Sequence, residues 1–436
     1  MASTHLAAFA DIPRLVTCQM LGFIRMQPAI VERLLANITS PAVVDLLIRI
    51  IQCEDNADGQ GVLGVSLALK ACAAEGERPT DVLVPLTSYR QWLSAEQLIP
   101  RLTDLLAPTQ SPATHEAAAE LLKGIIIMSA PAPTPFANVG PANGGGGGDQ
   151  NGAVGGSRNN KFARELVSDE HVRKLVGFML EPVSEAAFSE VAAVESAPSP
   201  ARDGETTPVQ RSAELLQEAA VTRSSSLVAV ISIFIELIRK NNSDYSEPHL
   251  FHTLRNGLMS HSTAQASKAL LAGENDMDDD EAKEAKDRVE LEEKMEDLNA
   301  SLGIVHLGNL LAILSDKVGE LRQRLSAPPV SSEAGGRPSL TLERFRIIEL
   351  FAELLHCSNM AVLNRPVGTG PKYDQDGQLM GGLAGLDVLN GALNGTDGED
   401  EDSEDSDDDD EVPSAGDVLK QKIMDHGLLG ALLVRL

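Results

Sequence analysis

Two histidines in a polar segment are the residues best placed to do chemistry. The segment is FIELIRKNNSDYSEPHLFHTLRNGLM, residues 234–259, in which His249 and His252 stand three residues apart. On a helix they would share one face and could bind a metal ion or exchange protons. Asp244 and His261 are conceivable further ligands, but neither stands at a spacing typical of a metal site.

A corner between two helices explains the same segment without chemistry. Arg239 and Lys240 would close the first helix against its negative end, and Asn and Ser residues would make the turn. A second helix would begin at Ser246 or Glu247, with Pro248 in its first turn. Tyr245 would then either pack beneath the corner or face a partner. The residues that this corner would offer to a partner are Asn241, Asn242, Asp244, Tyr245, His249 and His252.

Three other motifs fail at a required position. GQGVLG, residues 59–64, has the spacing of a dinucleotide fingerprint, but the fingerprint needs a preceding strand and residues 41–53 have helical periodicity. EDNADG, which begins at residue 54, has Val65 where a calcium loop needs a bidentate Glu. HEAAAE has Ala119 where a zinc-protease motif needs its second His. We therefore expect no catalytic residue, no cofactor and no metal ion.

The charge distribution limits the partners. The formal net charge is -28, and most of the excess lies in residues 274–297, with 13 acids against 4 bases, and in residues 397–411, with 12 acids and no base. Because no basic patch rises above this background, neither nucleic acid nor an anionic membrane is an expected partner. The most apolar run ends at Glu236, so no membrane insertion is expected. The N-terminal residues lack the pattern of a secretory signal, so a cytoplasmic or nuclear location is expected.

The pattern of apolar residues predicts an all-α chain. Ser40 and Pro41 begin a helix with apolar residues on one face, and Ser111 and Pro112 begin another in the same way. No segment shows sustained alternation with a period of two. The four cysteines, Cys18, Cys53, Cys72 and Cys357, follow no CxxC pattern and are expected to be reduced core thiols. Tandem aliphatic helices favour an armadillo- or HEAT-like α-solenoid, with a compact helical bundle as the alternative.

Low-complexity segments divide the predicted helical regions. Helical repeats are expected in 1–130, 163–182, 211–262 and 301–364, and a C-terminal helix in 417–436. Disordered inserts are expected in 131–162, 183–210 and 365–416, and a partly helical acidic insert in 263–300. Within EDEDSEDSDDDDE, Ser403 and Ser406 lie among acids and resemble acidophilic kinase sites.

Several long segments resemble one known family in the same order. They are the segment 234–259 with PAVVDLLIRIIQCED, LSAEQLIPRLTDLLAP, LGIVHLGNLLAILSDKVGELRQRL and RFRIIELFAELLHCSNMAVLNRP. The chain is similar to the SAPS-domain family in its fungal form, from about residue 20 to 364 and again from about 417. Family chains extend further at both ends, so this chain is expected to be a fragment.

The resemblance implies a function without catalysis. Members of the family are regulatory subunits of type 6 (Sit4-like) serine/threonine protein phosphatases. The resemblance therefore implies a helical scaffold that binds the phosphatase catalytic subunit, directs it to substrates and contributes to cell-cycle and growth signalling, with further adaptor proteins as additional partners. A general helical-repeat adaptor in trafficking or transport is the alternative.

Overall fold

The computed structural model describes residues 20, 23–55, 89–130, 159–181, 208–272, 280–326, 340–365, 369–394, 413–428 and 430. They fall into two compact units, one formed by residues 1–128 and 174–233 and the other by residues 129–173 and 234–436. Over the described ranges the regular elements are α-helices, and the one extended pairing is an isolated antiparallel bridge between Tyr373 and Leu379. The all-α helical-repeat prediction is confirmed.

The helices are numbered in chain order over the described residues. They are α1 Ile30–Leu35, α2 Pro41–Asp55, α3 Tyr89–Ala95, α4 Leu98–Asp104, α5 Pro112–Ser129, α6 Lys161–Leu166, α7 Asp169–Leu180, α8 Pro208–Lys240, α9 Ser243–Ala272, α10 Asp280–Ser301, α11 Gly308–Asp316, α12 Val318–Ser326, α13 Leu342–Cys357, α14 Ala361–Asn364, α15 Gly382–Asn394 and α16 Ala415–Asp425.

In the first unit, the predicted helix starts are present. Helix α2 begins at Pro41 and buries an aliphatic stripe that includes Leu47, Ile50 and Ile51. Helix α5 begins at Pro112, and the hydroxyl of the preceding Ser111 accepts a hydrogen bond from a first-turn backbone N–H at 3.1 Å. A capping hydroxyl satisfies one of the amide groups that a helix leaves unpaired at its start.

Helix α8 contains a long apolar segment. Its residues Gln217–Lys240 are long and apolar enough to cross a membrane by length and composition, and 56% of the apolar window is buried inside the structure. The core helix of a soluble protein has the same combination of length, composition and burial.

The core of the second unit includes a segment for which the sequence predicted disorder. Ten buried side chains form one cluster between α9, α10 and residues 379–389, namely Leu250, Phe251, Leu254, Leu258, Met295, Leu302, Ile304, Leu379, Leu386 and Leu389. The disordered insert expected over 365–416 is therefore wrong for residues 369–394. Its leucines fill the gap between α9 and α10, and this burial outweighs the low helix propensity of the glycines among them.

The predicted helical region 301–364 begins with a short non-helical segment. Residues 302–307 are not helical, and the backbone N–H of Ile304 donates to the carbonyl of Gly377 at 2.7 Å. A Cβ at Gly377, whose φ is +75°, would lie 2.0 Å from the carbonyl oxygen of Ile304. The close approach of the two backbones therefore requires glycine at this position.

One of the four cysteines has a described side chain. Cys357, at the end of α13, is buried and free, and burial raises the pKa of its thiol to about 12. It is a core thiol, as predicted. The side chains of Cys18, Cys53 and Cys72 lie outside those that the structure describes.

Candidate functional site

The candidate site is the corner between α8 and α9 in the second unit. Only Asn241 and Asn242 separate the two helices, and α9 begins at Ser243, three residues earlier than the first predicted start. The Asn241 side chain is buried and donates to the carbonyl of Leu237 at 2.9 Å. The Asn242 side chain accepts a hydrogen bond from the Asp244 N–H at 2.9 Å. These two asparagines end one helix and begin the next, which explains their place at the turn.

The corner is fastened to the C-terminal end of α13 and to α14. The Asp244 carboxylate accepts a hydrogen bond at 2.9 Å from the N–H of Ala361, the first residue of α14. The amide nitrogen of Asn242 lies 3.4 Å from Nε2 of His356. These contacts hold the turn in one conformation, so its exposed side chains project from a rigid base.

An ion-pair network lies beside the corner. Arg239, near the end of α8, donates to Glu353 at 2.8 Å and to Glu349 at 2.9 Å, both on α13. Arg346 donates to Glu349 as well, at 2.6 Å. The hydrogen bond from Arg239 to Glu353 raises the pKa of the guanidinium. The Arg239 side chain is 46% exposed, so solvent screens these pairs and we assign them an orienting role.

The predicted site residues divide into buried supports and exposed side chains. Tyr245 is 62% exposed, and Asp244 and His252 are also exposed. His249 is partly buried, and burial lowers the pKa of its imidazole, with the charge of His252 lowering it further. Burial therefore favours the neutral form of the His249 imidazole through its lowered pKa. Tyr245 is the largest exposed side chain of the corner, and rigidly based aromatic side chains are typical anchors of protein interfaces.

The corner has no metal-binding geometry. No three His, Cys, Asp or Glu side chains are grouped to hold a metal ion in the part of the chain that the structure describes. The ring of His252 lies edge-on to Phe251, with ring centroids 5.3 Å apart. His249 approaches the hydroxyl of Thr253 at 3.5 Å. The two histidines are held by neighbouring side chains of their own helix.

A buried carboxylate beneath the corner was missed by sequence reasoning. Glu247 is 3% exposed and accepts two hydrogen bonds from Arg365, at 2.9 and 2.8 Å, and a third from the Tyr373 hydroxyl at 2.8 Å. Burial and the Glu247 charge raise the pKa of the Tyr373 hydroxyl. This cluster ties Arg365 and Tyr373 to the start of α9. Glu247 is more than 110 residues from both partners in the chain, and no local pattern could have paired them.

A second buried group, Arg164 of α6, was also missed. Its guanidinium donates to Asn160 at 2.9 Å, to the Asp376 carbonyl at 2.8 Å and to the Ala300 carbonyl at 3.0 Å. Burial lowers the pKa of Arg164, while the nearby carboxylates of Asp376 and Asp374 oppose the shift. The hydrogen bonds join three separate chain segments, so this arginine positions the framework around the corner.

In the first unit, a Ser–His pair resembles part of a catalytic arrangement. Nε2 of His115 lies 2.9 Å from the Ala107 carbonyl oxygen and Nδ1 lies 3.1 Å from the Ser225 hydroxyl. Because the carbonyl requires a donor at Nε2, the Nδ1 atom accepts from Ser225. His115 is fully buried and burial lowers its pKa. The pair therefore joins α5 to α8 and has no access to a substrate.

The predicted phosphorylation sites, Ser403 and Ser406, lie outside the described residues. Phosphorylation at these two serines stays a prediction.

Comparison with known proteins identifies the family. Residues 15–68 and 83–434 match the SAPS family, described as SIT4 phosphatase-associated protein, and the chain belongs to this family. It is 25% identical over 358 residues to the SIT4-associating protein SAP190 of Saccharomyces cerevisiae, covering 82% of this chain and 23% of the relative. It is 24% identical over 372 residues to the SIT4-associating protein SAP185 of the same yeast, covering 84% and 23%.

A third relative comes from another yeast. The extragenic suppressor of kinetochore protein 1 of Schizosaccharomyces pombe is 24% identical over 365 residues, which cover 83% of this chain and 29% of the relative. The chain thus spans less than a third of the length of these relatives. No solved structure matches the chain.

Proposed function

We propose that this chain is a non-catalytic regulatory or scaffold subunit that binds the catalytic subunit of a type 6 (Sit4-like) serine/threonine protein phosphatase and directs it to substrates. The family match over most of the chain carries the proposal. Relatives that align with more than four-fifths of the chain are named for their association with SIT4. Helical-repeat chains bind globular partners through extended helical surfaces, which agrees with this role.

The corner between α8 and α9 is the proposed contact for the catalytic subunit. Tyr245 supplies an exposed aromatic anchor, and Asp244 and His252 supply polar contacts around it. The hydrogen bonds of Asn242 and Asp244 fix the backbone beneath them. A rigid surface loses little conformational entropy when a partner binds.

The absence of catalysis by this chain is part of the proposal. The described Ser–His pair of the first unit is buried, and the histidines of the corner contact Phe251 and Thr253 of their own helix. A role in cell-cycle and growth signalling, a cytoplasmic or nuclear location and further adaptor partners belong to the same proposal. The relative named as a suppressor of a kinetochore protein agrees with the cell-cycle part.

Co-purification tests the proposal. The tagged chain, and a longer version with the flanking sequence of its own protein, are each mixed with a Sit4-type catalytic subunit. We expect recovery of the catalytic subunit, and a Tyr245→Ala/His252→Ala variant should bind at least about tenfold more weakly, as expected when an interface anchor is truncated. Met259→Ala is the matched control, since Met259 is 57% exposed on α9, about 21 Å from Tyr245 along the helix.

Three results would contradict parts of the proposal. Failure of both versions to recover the catalytic subunit would favour the alternative of a trafficking or transport adaptor. Equal loss of binding in the corner variant and in Met259→Ala would remove the corner as the contact. Dephosphorylation of a phosphopeptide by the purified chain alone would overturn the non-catalytic role.

A further inference from the structure

The second unit exposes apolar side chains on two neighbouring helices. Met380, two residues before α15, is 52% exposed, and Val388 within α15 is 46% exposed. Val289 of α10 is 57% exposed. Clustered apolar side chains on a surface are typical of binding sites, whereas single ones are ordinary. We call these three residues with the adjoining flank of α10 the α10–α15 face.

Contacts near the start of α15 show that α10 and α15 are neighbours. Asn299 of α10 donates to the carbonyl of Leu379 at 2.6 Å. A Cβ added at Gly382 would lie 2.7 Å from the Glu292 carboxylate. Glu292 lies about two turns before Asn299 in α10. The two helices therefore run in opposite directions. Val289, three residues before Glu292, is consequently level with the first turn of α15, about one turn before Val388.

The rim of the α10–α15 face is acidic. Glu292 and Glu296 lie on the flank of α10 that adjoins α15, and Asp387 precedes Val388, whereas Arg288 is the basic residue on that flank. None of these three carboxylates forms an ion pair with another described residue. Helix α10 carries nine acidic and four basic residues, and residues 378–394 contain no Lys or Arg. The face therefore combines apolar side chains with a net negative charge.

We propose that the α10–α15 face binds a basic amphipathic helix of a partner protein. Apolar side chains of that helix would cover Met380 and Val388, and its Lys and Arg residues would pair with Glu292 and Glu296. The charge selects this occupant, since nucleic acid and anionic membranes would be repelled. A second copy of the chain, with its net charge of -28, would be repelled as well. This inference is independent of the phosphatase proposal.

Peptide binding to the full chain provides the test. The probe is a fluorescent ~18-residue peptide with Leu on one helical face and Lys at all other positions. One comparison probe has Ser in place of Leu, and a second has Glu in place of Lys. We expect the Leu/Lys probe to bind at least about tenfold more tightly than either, because the face supplies both apolar contact and opposite charge.

Variants locate the binding. Glu292→Lys/Glu296→Lys should weaken the Leu/Lys probe at least about tenfold. The matched control is Asp287→Lys/Asp297→Lys, which reverses the same charge on exposed residues about 140° around α10. It should change binding less than about twofold. Val388→Asp should also weaken binding, and circular dichroism melting of each variant verifies that it is folded.

The acidic residues 397–411 provide a necessary second control, because a basic peptide could bind them without any apolar contact. A chain with those acids replaced by Asn and Gln should keep the tighter binding of the Leu/Lys probe. Equal affinity for the Leu/Lys and Ser/Lys probes would overturn the proposal. So would equal weakening by both charge-reversal pairs, or loss of binding on neutralising 397–411 alone.

Discussion

The hydrogen-bonded cluster around Glu247 offers a direct test of how residues 369–394 are held in the second unit. The Glu247 side chain is 5% exposed and that of Arg365 is 20% exposed, and the two are joined by hydrogen bonds of 2.9 and 2.8 Å. Arg365→Leu would leave a buried carboxylate with the Tyr373 hydroxyl as its remaining partner in this cluster. Breaking a buried pair in this way costs about 3–5 kcal/mol. Because Arg365 is partly exposed, we expect a cost at the lower end of this range, about 3 kcal/mol.

Two companion variants separate the contributions. Tyr373→Phe removes one hydrogen bond to a charged acceptor and should cost about 1.5–3 kcal/mol. The triple variant Glu247→Leu/Arg365→Leu/Tyr373→Phe removes all three polar groups and leaves no uncompensated charge. It should be more stable than Arg365→Leu alone, because apolar replacement of a whole buried pair is often neutral.

Urea unfolding gives the free energies, and hydrogen exchange shows where the effect lies. Some backbone amides exchange only when this region opens locally. A loss of about 3 kcal/mol in stability should lower the protection of these amides against exchange about 100-fold. We expect the loss in α15, whose Leu386 and Leu389 pack in the same core cluster. A cost for Arg365→Leu below about 1 kcal/mol, or a triple variant as unstable as the single one, would refute the reasoning.

Two further predictions concern pH and backbone conformation. Burial holds the pKa of His115 below its ordinary value of 6.5, so the unfolded chain binds this proton more readily, and stability should fall as the pH drops below 6.5. Urea titrations at pH 7.5 and 5 give the free energy of unfolding at each pH. His115→Gln should lose less of this free energy between the two pH values than the unchanged protein does. An equal loss in both proteins would show that His115 does not cause the pH dependence. Gly377→Ala should lower the free energy of unfolding by at least about 2 kcal/mol. The strain of alanine at a positive φ and the clash of its Cβ with the Ile304 carbonyl oxygen both contribute to this cost. Gly427→Ala is its control in thermal unfolding, since Gly427 has a φ of +57° and no atom within 4 Å of the added Cβ; equal costs would exclude the contact as the cause.

Much of the fold could be predicted from local sequence. Ser111 before Pro112 predicts the start of α5, and the aliphatic stripe of α2 predicts both a helix and its buried face. These signals are local, because capping and a 3.6-residue period involve neighbours within one or two turns. Helix α15 was missed for the same reason. Its three glycines lower local helix propensity, and its stability comes from leucines packed against α9 and α10.

The candidate site shows the same division. The asparagines at the corner, the exposed Tyr245 and the turn between two helices could be inferred from residues 234–259. The attachment of Asp244 to α14 could not, because the two partners are more than 100 residues apart. The sequence left a metal site at His249 and His252 as one possible interpretation, and no three His, Cys, Asp or Glu side chains of the described residues are grouped to hold a metal ion.

The sequence by itself determined the helical class, the family and the polar turn between α8 and α9, because periodicity, capping and extended similarity are properties of contiguous residues. Tertiary structure alone decided which distant groups meet. The pairing of Glu247 with Arg365 and Tyr373, and the neighbouring positions of α10 and α15, depend on long-range packing. Burial removes water from these polar groups, so the hydrogen bonds between them contribute strongly to stability. Local sequence patterns do not show which distant segments pack together and exclude water.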